Sequence, residues 1–152
     1  MIGARKYTCV AIAAVYLFAA VASAAVSSPR LTPTAYRAQA KAICKRLAVA
    51  DEATSETPVQ YLTKAIKASK IYLASVEALR SPASFAALNK QLVVVIGREL
   101  NLLASYLPPL RAGALTLTEM VNDLAGSKLG SEEMKEEDLL WNQLGVPYCA
   151  EY

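Results

Sequence analysis

The sequence predicts an all-α protein: an up-down-up-down four-helix bundle with a broken fourth helix and one disulfide. Three observations predict it. Apolar residues recur three and four apart in successive stretches, the period of a helix with one buried face. Capping and proline signals bracket those stretches. No alternating strand pattern, Asn-Gly or Asp-Gly hairpin turn, or 20–50-residue repeat interrupts them.

The elements follow in order. Residues 1–24 read as a secretory signal peptide. Arg5 and Lys6 form the positive n-region, Cys9 to Val21 the apolar h-region, and Ala22-Ser23-Ala24 an A-x-A cleavage site. Cleavage after Ala24 leaves a single helical domain, residues 25–152. The competing reading is an uncleaved anchor, since Cys9 to Val26 is 18 residues, near the lower limit of a membrane span.

The first mature helix starts near Thr32 or Thr34 and runs to about Ala50. Thr32 can cap it, with Pro33 set at the first helical position. Tyr36, Ala40, Ile43, Cys44 and Leu47 share one face. Asp51 to Ser55 is a polar linker. Thr57-Pro58-Val59-Gln60 is a capping box that opens the second helix. Its stripe is Leu62, Ala65, Ile66, Tyr72, Leu73, Val76 and Leu79, with Ser69 the one polar member.

Ser81-Pro82 ends the second helix and, with serine as cap, starts the third. Phe85, Leu88, Leu92, Val95, Ile96, Leu100, Leu103 and Leu107 carry the third to Pro108-Pro109. Gly97 suggests a bend or a close helix approach. Pro108 to Gly113 reads as a loop. Thr116-Leu117-Thr118-Glu119 is a second capping box, opening a helix with Met120, Val121 and Leu124. Gly126-Ser127 and Gly130-Ser131 punctuate it. Ser131 is expected to cap a last segment carrying Leu140, Trp141 and Leu144. Gly145 fits the left-handed position after a helix, and Pro147 prevents resumption.

The composition limits the chemistry. The chain has 152 residues, 55% hydrophobic and 19% charged, enough for one domain with a real core. It has no histidine. That removes Ser-His-Asp and Cys-His catalysis and histidine-ligated zinc, iron or haem. Cys9 leaves with the signal, so Cys44 and Cys149 remain, most simply as one disulfide. Closing a loop of about 106 residues contributes at most roughly 4–5 kcal/mol in the chain-entropy picture. No CxxC is present to support a redox role.

Charge is segregated. Residues 30–111 hold 12 basic and 5 acidic side chains, and residues 112–152 hold 2 and 8. Arg37, Lys41 and Lys45 lie four apart on the first helix, and Lys64, Lys67 and Lys70 three apart on the second. Glu132, Glu133, Glu136, Glu137 and Asp138 cluster on the last segment. Three readings stand: solvated faces, pairing of the acidic last segment with the basic first helix, and a docking surface for an anionic envelope polymer or lipid headgroups. The mature net charge is near zero, so no basic field for nucleic acid exists.

No GxSxG, Walker A, GxGxxG, HExxH, CxxCH or EF-hand pattern occurs, and no cofactor or metal is implied. The acids crowd one charge-dense segment expected to be exposed, which disfavours a raised general-acid pKa. Tyr36, Tyr72, Tyr106 and Trp141, with Tyr61 and Tyr148, are candidate linings of a ligand groove, although aromatics at this spacing usually fill a core. Trp141 reads as the plug of the bundle's end.

The mature chain resembles a loose group of small secreted bacterial helical proteins of unassigned activity. The resemblance rests on Tyr36-Arg37-Ala38 with Ile43-Cys44, on Leu79-Arg80-Ser81-Pro82-Ala83 at a helix junction, and on the Trp141…Leu144-Gly145…Cys149 ending. It implies a helical fold and a Cys44–Cys149 bridge, and transfers no catalytic residue. Secreted plant inhibitor bundles share the size and architecture, but the N-terminal cysteine pair they carry is missing here. The expected function is therefore an exported, non-enzymatic binding or interaction protein with an unknown protein or envelope polymer as partner. The alternative is a carrier of an apolar small molecule held between helices, and an enzyme ranks third. Membrane association enters only through an uncleaved signal.

Overall fold

The computed structural model describes residues 29–50 and 57–151. The expected signal segment and the polar linker lie outside them. The described chain is all-helical, with no strand among the described residues. Its helices are α1 (Pro33–Ala50), α2 (Pro58–Glu77), α3 (Ala86–Ser105), α4 (Leu107–Arg111), α5 (Leu117–Gly126) and α6 (Lys128–Gln143). Two 3-10 turns, Ala83–Phe85 and Pro147–Glu151, precede α3 and end the chain. No helix among the described residues is long and apolar enough to cross a membrane.

The capping signals at Thr32, Thr57 and Thr116 act as expected. Thr57 accepts from the Gln60 amide while Gln60 returns a bond to the Thr57 amide, and Thr116 and Glu119 do the same at α5. Thr32 Oγ1 accepts from the Ala35 amide at 3.2 Å at the start of α1. The β-branched run Val93–Val95 is helical within α3, where tertiary burial of Val95 overrides local strand preference.

Four local expectations are corrected. Pro108-Pro109 does not make a loop. The prolines occupy the first turn of α4, where amides need no partner, and Leu110 N–H bonds back to Tyr106 O at 3.1 Å. Ser81 does not cap α3, which is entered from Pro82 through a 3-10 turn without a side-chain cap. The cap of α6 is Ser127 rather than Ser131, accepting from Gly130 N–H at 3.0 Å. The turn from α5 to α6 is tight enough that a Cβ at Gly130 would fall 2.6 Å from the Leu124 carbonyl oxygen. Gly97 makes no close helix approach, for nothing lies within 4 Å of its missing Cβ.

α3 packs against both α2 and α6, α1 against α2, and α5 against α6. Two apolar clusters result. The larger joins Tyr36, Cys44, Val76, Leu92, Val95, Trp141 and Leu144. The smaller, built on Leu62, Ile66, Tyr106, Leu110 and Met120, joins α2, α4 and α5. Trp141 is fully buried within the larger cluster.

The C-terminal turn is strapped to α1. Cys44 and Cys149 form a disulfide with Cα atoms 5.5 Å apart. Arg37 Nε donates to Leu144 O at 2.9 Å, and its guanidinium stacks over Phe85 at 5.2 Å. Lys41 and Lys45 lie 5.1 and 5.8 Å from the Tyr148 ring centre. Gly145 supplies the left-handed turn at φ +74°, as its sequence position predicts, and a Cβ there would meet Arg37 Nε at 2.6 Å.

Candidate functional site, an acid-lined cavity between helices

The periodicity of α6 places two of its acids on the apolar face. Glu133 and Glu137 lie two turns and one turn before Trp141 and seven residues before Leu140 and Leu144. On α3, Glu99 falls three and four residues after Ile96 and Val95 and four before Leu103, inside the apolar stripe. Folding brings these three carboxyl groups to one cavity of about 520 Å³. Leu100, Leu103, Leu124 and Met134 supply apolar wall, Tyr72 and the acids the polar wall, and the disulfide one edge. That volume lies in the range of small-molecule sites.

Glu137 is the centre of the polar wall. Tyr72 donates its hydroxyl proton to Glu137 Oε1 at 2.7 Å, and Trp141 Nε1–H reaches both Tyr72 Oη and Glu137 Oε1 at 2.9 Å. Burial first, and then the Glu137 charge, pushes the Tyr72 hydroxyl far up, so it remains a donor. Burial, then the neighbouring Glu137 carboxyl, pushes Glu99 up to about 9. Its Oε1 is buried without a hydrogen-bond partner. Asp138, at the rim, is raised by burial and then by Glu137.

Glu133 differs. Its side chain is 6% exposed, Arg98 Nε lies 3.5 Å from its Oε1, and its Oε2 is buried with no hydrogen-bond partner. Arg98 is engaged more closely by Glu136, at 2.5 Å. Through Arg98, α3 thus ion-pairs with α6.

The sequence-predicted site residues separate. Of the four candidate groove aromatics only Tyr72 lines the cavity. Trp141 stands behind it. Tyr36 is fully buried, donates to Asn89 Oδ1 at 2.6 Å, and is pushed up to about 12 by burial. Tyr106 sits in the smaller cluster and donates to Asp123 at 2.5 Å. Arg37, Lys41 and Lys45 hold the C-terminal turn, while Lys64, Lys67 and Lys70 are exposed on α2. The expectation that the acidic segment is wholly exposed is overturned at Glu133, 4% exposed, and at Glu99 a raised carboxyl exists where none was expected. Reading the α6 stripe two turns back from Trp141 was the available signal.

Among the described residues, no group of three or more histidine, cysteine, aspartate or glutamate side chains is placed to hold a metal ion. No protein-family model matches the chain, and no curated protein or solved structure matches it.

Proposed function

We propose that this is an exported, non-enzymatic binding protein that carries an apolar small molecule between its helices. In this reading an up-down-up-down bundle, its fourth helix broken at Ser127 into α5 and α6, frames the site. The observation that carries the proposal is the half-open cavity of about 520 Å³, whose apolar wall includes Leu47, Leu100, Leu102, Leu103, Leu124 and Met134. A hollow of this volume with a partly apolar wall lies in the range of small-molecule sites. Export is supported by the A-x-A site at Ala22-Ser23-Ala24 and by the disulfide, which belongs to oxidising compartments.

Native mass spectrometry of the protein purified from its own cell envelope tests the reading. The expected result is cleavage after Ala24, the two-hydrogen loss of the disulfide, and a reproducible small-molecule adduct. An intact N-terminus sinks export by cleavage. A clean, ligand-free species that also takes up no apolar probe sinks the carrier and returns the surface-interaction reading.

Acid–base catalysis is the second reading, favoured by the carboxyl of Glu99, which burial and Glu137 raise to about 9. Tyr72 and Trp141 already occupy Glu137 Oε1. That occupation suits a fixed polar wall better than a base working on a substrate.

A further inference from the structure

We infer that the outer face shared by α1 and α2 docks on an anionic phospholipid surface, with Ile71 entering the headgroup layer and Arg46 and Lys67 taking the phosphates. The contact lies outside the carboxyl-lined cavity and stands whether or not that cavity carries a ligand.

Helical spacing builds this face. On α2, Lys64, Lys67 and Ile71 fall three and four residues apart and so share one side of the helix. Across from them on α1, Arg46 lines a shallow hollow of about 170 Å³ together with Ile43, Ala68, Ile71 and Ser75. Ile71 is 60% exposed, more than any other large apolar side chain among the described residues. The cations therefore flank an apolar spot instead of forming a wholly charged patch. Arg46 Nε donates to the Ala42 carbonyl of its own helix at 3.3 Å. Neither Arg46 nor Lys67 makes an ion pair among the described residues. Lys41 and Lys45 are turned to Tyr148 and stand outside this face.

An apolar side chain flanked by cations fits a boundary where phosphates end and acyl chains begin. A soluble polyanion would engage the cations and leave Ile71 in water. The charge of the whole chain agrees with a lipid surface. Residues 30–111 hold 12 basic and 5 acidic side chains, and residues 112–152 hold 2 and 8. The acids of α6 lie across the core from this face, where Glu137 meets Tyr72 of α2. An anionic surface draws the basic side of such a molecule toward itself and repels the acidic side.

The hollow also adjoins the larger cavity. Leu47 and Tyr72 line both, and so form a partition between them. In the carrier reading, an apolar molecule leaving the bilayer at the docked face meets these two side chains before the cavity.

The test is vesicle flotation with the purified, oxidised protein as cells process it. Vesicles of phosphatidylcholine and phosphatidylglycerol in equal parts are expected to bind it about tenfold or more tightly than phosphatidylcholine alone, and salt of about 1 M to remove the difference. Arg46→Ala and Lys67→Ala are each expected to weaken binding to the anionic vesicles about fivefold. Ile71→Ser is expected to weaken it by a similar factor. Lys90→Ala makes the same charge change on the exposed side of α3 and is expected to stay within about twofold of the natural protein. All four positions are exposed, and melting temperatures near that of the natural protein check that the variants fold. Equal binding to both kinds of vesicle overturns the anionic surface. A loss from Lys90→Ala as large as that from Lys67→Ala overturns this face in favour of diffuse charge attraction. Inorganic polyphosphate bound as tightly as the vesicles, with Ile71→Ser affecting neither, overturns the lipid surface in favour of a soluble polyanion. Binding to no vesicle overturns the docking and leaves the carrier reading to its own mass-spectrometric test.

Discussion

The Tyr72 hydroxyl on α2 donates a 2.7 Å hydrogen bond to Glu137 on α6, across 65 residues of sequence. The same hydroxyl accepts from Trp141 Nε1. One phenol therefore ties two helices and shares the buried indole N–H with Glu137. Tyr72→Phe removes both functions while keeping the ring's volume. It is expected to cost about 1–3 kcal/mol, the range for leaving buried polar groups short of a partner. Urea denaturation of the variant measures this, and an unchanged midpoint refutes the role.

Glu99 makes stability depend on pH. Its carboxyl rises from the ordinary 4.5 to about 9 on folding, through burial and then Glu137, with Glu133 and Asp138 adding repulsion and Tyr72 facing the same pocket. The folded chain thus binds more protons than the unfolded one between those values. Its contribution is fully present below about 4.5 and is lost as pH rises through about 9. The melting temperature is expected to fall from pH 5 to pH 9, and Glu99→Gln, which stays neutral, to flatten that fall. Parallel profiles for the two proteins would show that Glu99 does not carry the proton.

The disulfide spans 105 positions and anchors the C-terminal turn to α1. Cys44→Ser is expected to destabilise the oxidised protein by about 2–5 kcal/mol. Denaturant melts give the cost, and thiol titration of the natural protein checks the bond. Two free thiols in the oxidised natural protein would contradict the pairing.

Gly145 is constrained twice, by its positive φ and by Arg37 at the place of a Cβ. Gly145→Ala is expected to cost more than about 1 kcal/mol from the backbone alone. The steric part is separable. In a double-variant cycle, Arg37→Ala should recover some of the loss caused by Gly145→Ala, whereas strict additivity would mean the guanidinium does not press on this position.

Much of this fold is legible in the sequence because it is local. A capping box acts within one turn, so Thr57 with Gln60 and Thr116 with Glu119 announce their helices without reference to the rest of the chain. The positive φ of Gly145 is also a local requirement. With Cys9 inside the expected signal segment, Cys44 and Cys149 leave one intramolecular pairing to consider. The prolines at 108 and 109 misled because the same residue that ends one helix is well suited to begin the next, and the choice depends on whether the following turn finds burial, as Leu110 does.

The candidate site is a different matter. Composition rules out histidine chemistry, and helical periodicity alone puts Glu99 on the stripe of α3 and Glu133 with Glu137 on that of α6. Only the packing of α3 against α6 makes those carboxyl groups neighbours, withdraws them from water, and raises Glu99. A charge on a helix face is cheap in solvent and consequential in a cavity. Which of the two it meets is set by the partner helix, and that partner is chosen by tertiary packing over distances that no local pattern encodes.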